Sequence, residues 1–190
     1  MKSVSLLLTA YILLLLVMFI LPFYSESSYS IVSNTTSHLG AQHAPNNWIM
    51  NITFMLLGLS TIYTGWKLLH PFIFHKIVLT VFGFALFFAG VFQHASIIPT
   101  KPIDIQADNI HSFFASLTGF SFTLFAISSA YIQKLNQQKM LALGIGTAAT
   151  LLSILMFTYP SFMGIFQRLI FISSFGWMIH FFIKWNKTTP

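Results

Sequence analysis

Residues 104–130 read DIQADNIHSFFASLTGFSFTLFAISSA. Two carboxylates and a histidine lead into a run in which His111, Ala115, Gly119, Thr123 and Ala126 recur at helical spacing, with Ser112, Ser116 and Ala130 beside them. Phe113, Phe114, Phe120, Phe122 and Phe125 occupy the rest of the surface. This predicts a membrane helix whose small, polar face packs closely against neighbours and whose phenyl rings meet lipid or the outside of a bundle.

The remaining chain agrees with that reading. Of 190 residues, 56% are hydrophobic and 6% are charged, against about 25% charged in a soluble domain. The expected class is therefore an all-α integral membrane protein. Nine Lys and Arg against three acids give +6, first a topology signal, and nothing points to nucleic acid. With no cysteine, disulfides, thiolate nucleophiles and thiolate metal sites are excluded, and any metal would be held by His and carboxylate.

Apolar runs predict six spans at about 4–23, 47–69, 76–98, 110–132, 140–159 and 164–184, in one domain covering 1–190. The first run is read as a helix rather than a signal peptide, because it is long enough to span and ends in LPFYSESS without a small-x-small cleavage site. Residues 25–46 are polar and read as an extended loop. In this layout Lys2, Lys67, Lys76, Lys134, Lys139, Lys184 and Lys187 share one side, and Glu26, Asp104 and Asp108 share the other. The positive-inside rule then makes the lysine side, with both termini, cytoplasmic. Lys101 and Arg168 are the exceptions.

Chemistry-bearing residues gather on the predicted outer side. His38, His43, His94 and His111 lie in loops or at helix ends, and the antiparallel third and fourth spans bring His94 towards His111 beneath Asp104 and Asp108. Such a set supplies the ligands of a zinc ion with an open water position; Asp104, Asp108 and Ser37 are then the catalytic candidates, and His38, His43, His94 and His111 the metal candidates. The alternative is a hydrogen-bonded network closing that end of the bundle, with Asp108 or Asn109 merely capping the fourth span. Asn47 and Asn51, one turn apart, and Gln93 are candidate ligand-binding amides or interhelical glue. Arg168 has three expectations: snorkelling to lipid phosphate, pairing with Asp104 or Asp108, or binding an anionic head group. Gly83, Gly90, Ala142, Gly144, Gly146 and Ala148 mark close helix contacts. Of the Asn-x-Ser/Thr matches, only Asn34 lies where a sugar acceptor is expected.

The segments SNTTSHLGAQHAPNNWIMNITFMLLG, FFAGVFQHASI and NIHSFFASLTGFSFTLFAI resemble the bacterial membrane family known as domain-of-unknown-function family 998. The residues carrying the resemblance are Ser37, Leu39, Gly40, Asn47 or Asn51, Gly90 and His111, over about the first two thirds of the chain. The resemblance implies six membrane helices and a bacterial cell membrane. It also implies kinship with the DRAM and FGF-receptor-activating-protein-like group, whose eukaryotic members are linked to GPI-anchor lipid remodelling and autophagy. A looser similarity to alkaline-ceramidase and adiponectin-receptor hydrolases is analogy only, because their seven helices and paired terminal histidines have no counterpart here.

The functional expectation is an outer-face His/Asp/Asn cluster that binds a lipid head group or small polar ligand, with a zinc-dependent hydrolase as its catalytic version. A non-catalytic scaffold or regulatory subunit is the alternative. A transporter ranks third, since no Asp or Glu lies inside a predicted span.

Overall fold

A computed structural model describes residues 2–188, which contain helices and turns and no strand. In chain order the helices are α1 Lys2–Ile20, the short α2 Thr36–Leu39, α3 Asn47–Leu68, α4 Ile73–Val91, α5 Ile105–Ser129, α6 Asn136–Thr158 and α7 Met163–Thr188. All but α2 are long and apolar enough to cross a membrane, so the six expected spans are present and the chain is an integral membrane protein.

Two boundaries differ most from the expected ones. The third span stops at Val91 rather than 98, and Phe92 turns to extended backbone at φ −90° and ψ 121°. The segment that follows contains Pro99 and Pro102, which cannot continue a helical ladder. The fourth span starts at Ile105, because Asp104 accepts the Ala107 N–H at 3.0 Å and caps the helix. The cap is therefore Asp104, not Asp108 or Asn109.

Helices adjacent in sequence are adjacent in space, running α1, α3, α4, α5, α6, α7, with α7 returning to α1. The closest crossing is that of α3 and α4. A Cβ on Gly83 would stand 2.5 Å from the Gly58 carbonyl oxygen, and one on Gly90 would stand 2.6 Å from the Asn51 carbonyl oxygen. Only hydrogen at these positions lets the two backbones meet. Gly146 likewise faces Ile127 and Ala126, whereas Gly144 faces open space, against the expectation of a close contact.

The face of α5 differs from the one expected. His111, Thr118, Phe122, Phe125 and Ser129 are buried, while Ser112, Ala115, Ser116 and Gly119 are exposed. Steps of four residues drift by about 40° around a helix of 3.6 residues per turn, so a stripe stepped from His111 by fours leaves the buried face, and alternating sevens, fours and threes stay on it. Phe122 and Phe125 therefore join an aromatic core with Phe82, Phe175, Trp177, Phe181 and Phe182.

The two ends of the bundle differ in charge. At one end Thr64 bonds the Ser3 carbonyl and Trp185 bonds the Leu68 carbonyl, which gathers the start of α1, the end of α3 and the end of α7. The Lys76 ammonium lies 4.4 Å from the centre of the Trp66 ring at this lysine end. His75 is buried there among Phe72, Phe74 and Phe125. The opposite, acidic end carries Asp104 and Asp108, and the loop 25–46 folds over it.

Candidate ligand-binding site at the acidic end

The centre of this end is a column of three imidazoles. His94 lies 4.6 Å from His38 and 5.1 Å from His111 between ring centroids, and the planes of His94 and His111 differ by 5°. Each ring has a fixed Nδ1. His111 directs Nδ1 at the carbonyl oxygens of Ala89 and Phe92, at 2.8 and 2.9 Å. Carbonyls only accept, so Nδ1 carries hydrogen and donates to groups left unpaired at the end of α4. His94 donates Nδ1–H to Asp108 Oδ1 at 2.5 Å, and the Ala95 N–H donates to the same oxygen at 2.7 Å. In His38 the order is reversed. Its Nδ1 accepts from the Thr35 N–H at 3.0 Å and lies 2.9 Å from the Thr35 hydroxyl, which puts the hydrogen of the neutral ring on Nε2.

The Nε2 atoms of all three rings make no hydrogen bond among the described residues, and none is a buried orphan. The column therefore presents a donor at His38 Nε2 and an acceptor at His111 Nε2, with the carboxylate-backed His94 between them. Burial, and the positive charge that His94 or His111 would carry beside it, press the His38 pKa down to about 4 against the opposing pull of Asp108.

No group of three or more His, Cys, Asp or Glu among the described residues is placed to hold a metal ion. His38 keeps its hydrogen on Nε2 when Nδ1 accepts, whereas a ligating nitrogen carries none. His43 lies apart from the column. It sits at φ 62° and reaches Pro102 carbonyl oxygen with Nε2 at 3.0 Å, latching one loop to the other.

The remaining candidates hold loops. Asn47 donates to the Ala41 carbonyl at 2.9 Å and Asn51 to the Gly40 carbonyl at 3.0 Å, so neither amide N–H is directed to a histidine. Arg168 is 3% exposed and neither snorkels nor meets Asp104 or Asp108. Its Nη1 donates to the carbonyls of Ile31, Asn34 and Gly164, and its Nη2 donates to the Tyr29 hydroxyl at 2.6 Å. Ser37 is buried, and no hydrogen bond joins its hydroxyl to an imidazole. Asn34 accepts the Ser30 N–H with its side-chain oxygen at 2.8 Å. Gln93 makes no side-chain hydrogen bond.

Two organising residues escape the sequence reading. Gln42 donates to the carbonyls of Gln93 and Asp104 and accepts the Asp104 N–H at 2.8 Å, while its own N–H reaches the His94 carbonyl at 2.9 Å. Gln167 accepts from both the N–H and the hydroxyl of Thr36, at 2.7 and 2.6 Å. A lone glutamine in an apolar or loop context carries no periodic signal, so only the distance map reveals these ties.

Fold and site together define a six-span helical membrane protein with a polar cluster at one end. The chain belongs to the family described as Protein of unknown function (DUF998), whose model matches residues 9–184. That match runs into α7, well past the first two thirds that carry the resemblance in sequence. No curated protein and no solved structure matched the chain in the same comparisons.

Proposed function

We propose that the acidic end is a receptor for the polar head group of a membrane lipid, with the His38–His94–His111 column and Asp108 as its hydrogen-bonding centre. The observation that carries this reading is the set of three Nε2 atoms without a partner among the described residues, each held in orientation through Nδ1. Orienting partners on the far nitrogen are what a binding or proton-exchanging imidazole needs. The lysine end then faces the cytoplasm, and the column stands at the level of the outer head groups.

A hydrolytic version finds less support. Asp108 and His94 form a competent acid–base pair, but among the described residues no hydroxyl is hydrogen-bonded to the free edge of His94 and no group of three or more ligands is placed to hold a metal ion. The scaffold reading is favoured by a separate observation, the number of polar side chains engaged in tying loops: Arg168, Gln42, Asn47, Asn51 and Gln167. The aromatic core around Phe82, Phe125 and Phe175 weighs against a polar route for transport.

The two leading readings separate on one experiment. Protein purified in mild detergent is analysed by native mass spectrometry for retained lipid, beside His94→Ala and its melting temperature. Head-group binding predicts that the variant, although less stable, loses more than half of the retained lipid while an equally destabilised Gly83→Val keeps it. A matched fall in stability with unchanged lipid content supports the scaffold instead.

A further inference from the structure

A pocket of about 580 Å³ opens beside the column, between the end of α4, the start of α5 and the loop before it. Gln42 and Gln93 line it, and the Gln42 N–H bonds the carbonyl of His94, the neighbour of Gln93 in the chain. Its lining combines apolar Val91, Phe92, Ile103 and Ala107 with polar Gln42, His43, Gln93 and Asp104. Apolar and polar groups around one opening suit an amphiphile at the membrane surface.

The free polar groups of that lining define which head group fits. Gln42 has its amide engaged with Gln93 and Asp104, and His43 Nε2 donates to Pro102. What remains is acceptor-rich: the second carboxylate oxygen of Asp104, the Nδ1 of His43 and the oxygen of the Gln93 amide, against one free donor, the NH2 of Gln93. No Lys or Arg lines the pocket. The N-terminus of α5 offers no compensating positive end, since Asp104 caps it and Asp108 lies in its first turn. A phosphate would meet a carboxylate and a single amide, whereas an ammonium with several N–H donors would meet three acceptors and a negative charge.

We infer that this pocket takes a lipid whose head group ends in a primary ammonium, of the ethanolamine type, with the ammonium at Asp104 and Gln93. The inference rests on the head-group reading above and specifies its ligand class.

The test uses the purified full chain in detergent, titrated with dioctanoyl phosphatidylethanolamine, phosphatidylcholine and phosphatidylglycerol, with affinity read by microscale thermophoresis. The expected order places phosphatidylethanolamine about five-fold or more tighter than phosphatidylglycerol, with phosphatidylcholine, which has charge but no N–H, between them. Asp104→Asn keeps a capping oxygen and is expected to erase most of that preference while the melting temperature holds. Equal or tighter binding of phosphatidylglycerol or phosphatidylcholine overturns the ammonium assignment and leaves the head-group reading standing. An unchanged preference in a folded Asp104→Asn overturns the assignment to this pocket. Failure of all three lipids to bind overturns the inference and the reading beneath it.

Discussion

A histidine ring has two nitrogens, and what one is bonded to decides what the other can do. At His94 a carboxylate holds Nδ1–H, at His111 two carbonyls do so, and at His38 a backbone N–H forces the opposite tautomer. Asp108→Asn replaces a charged acceptor with a neutral amide at the centre of this arrangement. It is expected to destabilise the protein by about 1–3 kcal/mol, read as a fall in melting temperature in detergent. His38 adds a pH dependence with a definite sign. Its pKa is about 4 in the folded chain against 6.5 for a free histidine, so between those values the unfolded chain binds more protons and stability rises with pH. Its contribution is complete above about pH 6.5 and is lost as the pH falls towards 4; His38→Gln is expected to flatten that part of a melting-temperature profile. The approach of His94, His111 and Asp108 was legible in sequence, because two consecutive antiparallel spans bring those positions together. That His38 completes the column while His43 stands outside it was not. A position in an irregular loop has no period from which its direction can be read.

The helices and the loops they carry are held by two different devices. Along α3 and α4 it is the absence of side chains: the Gly83 and Gly90 positions each face a carbonyl oxygen at a distance no Cβ tolerates. Gly83→Val is expected to part these helices and lower the melting temperature by several degrees, whereas Gly144→Val on α6, which faces open space, is expected to change it little. Over the acidic end the device is a buried cation. Arg168 closes three carbonyls and the Tyr29 hydroxyl, and burial raises the Tyr29 pKa despite the guanidinium beside it. Arg168→Met leaves those carbonyls unpaired at a cost of about 2–4 kcal/mol, and faster proteolysis within residues 25–35 is the expected readout. Gly83 and Gly90 were legible as close contacts from composition alone. Arg168 was not, because its partners Ile31 and Asn34 lie more than a hundred residues away in the chain, and the surface destinations expected for it presumed that no protein covered it.

At the scale of the whole molecule, charge and hydropathy carried the architecture. Seven lysines on one side, three acids on the other and six apolar runs determine the bundle, because lipid leaves the backbone no partner but its own helix. The family match over residues 9–184 agrees with that single unit. What composition does not encode is the registry of the cover over the acidic end, where Gln42, Asn51 and Gln167 decide which histidines meet. The central claim, that three imidazoles form one coupled ligand centre, is tested most directly by ¹⁵N NMR of protein labelled at histidine nitrogens, with and without phosphatidylethanolamine. The account predicts hydrogen on Nδ1 of His94 and His111 and on Nε2 of His38, with all three shifting together on lipid addition while His70 and His180 stay unchanged. Three independent histidines with free-imidazole titrations, unmoved by lipid, would contradict it.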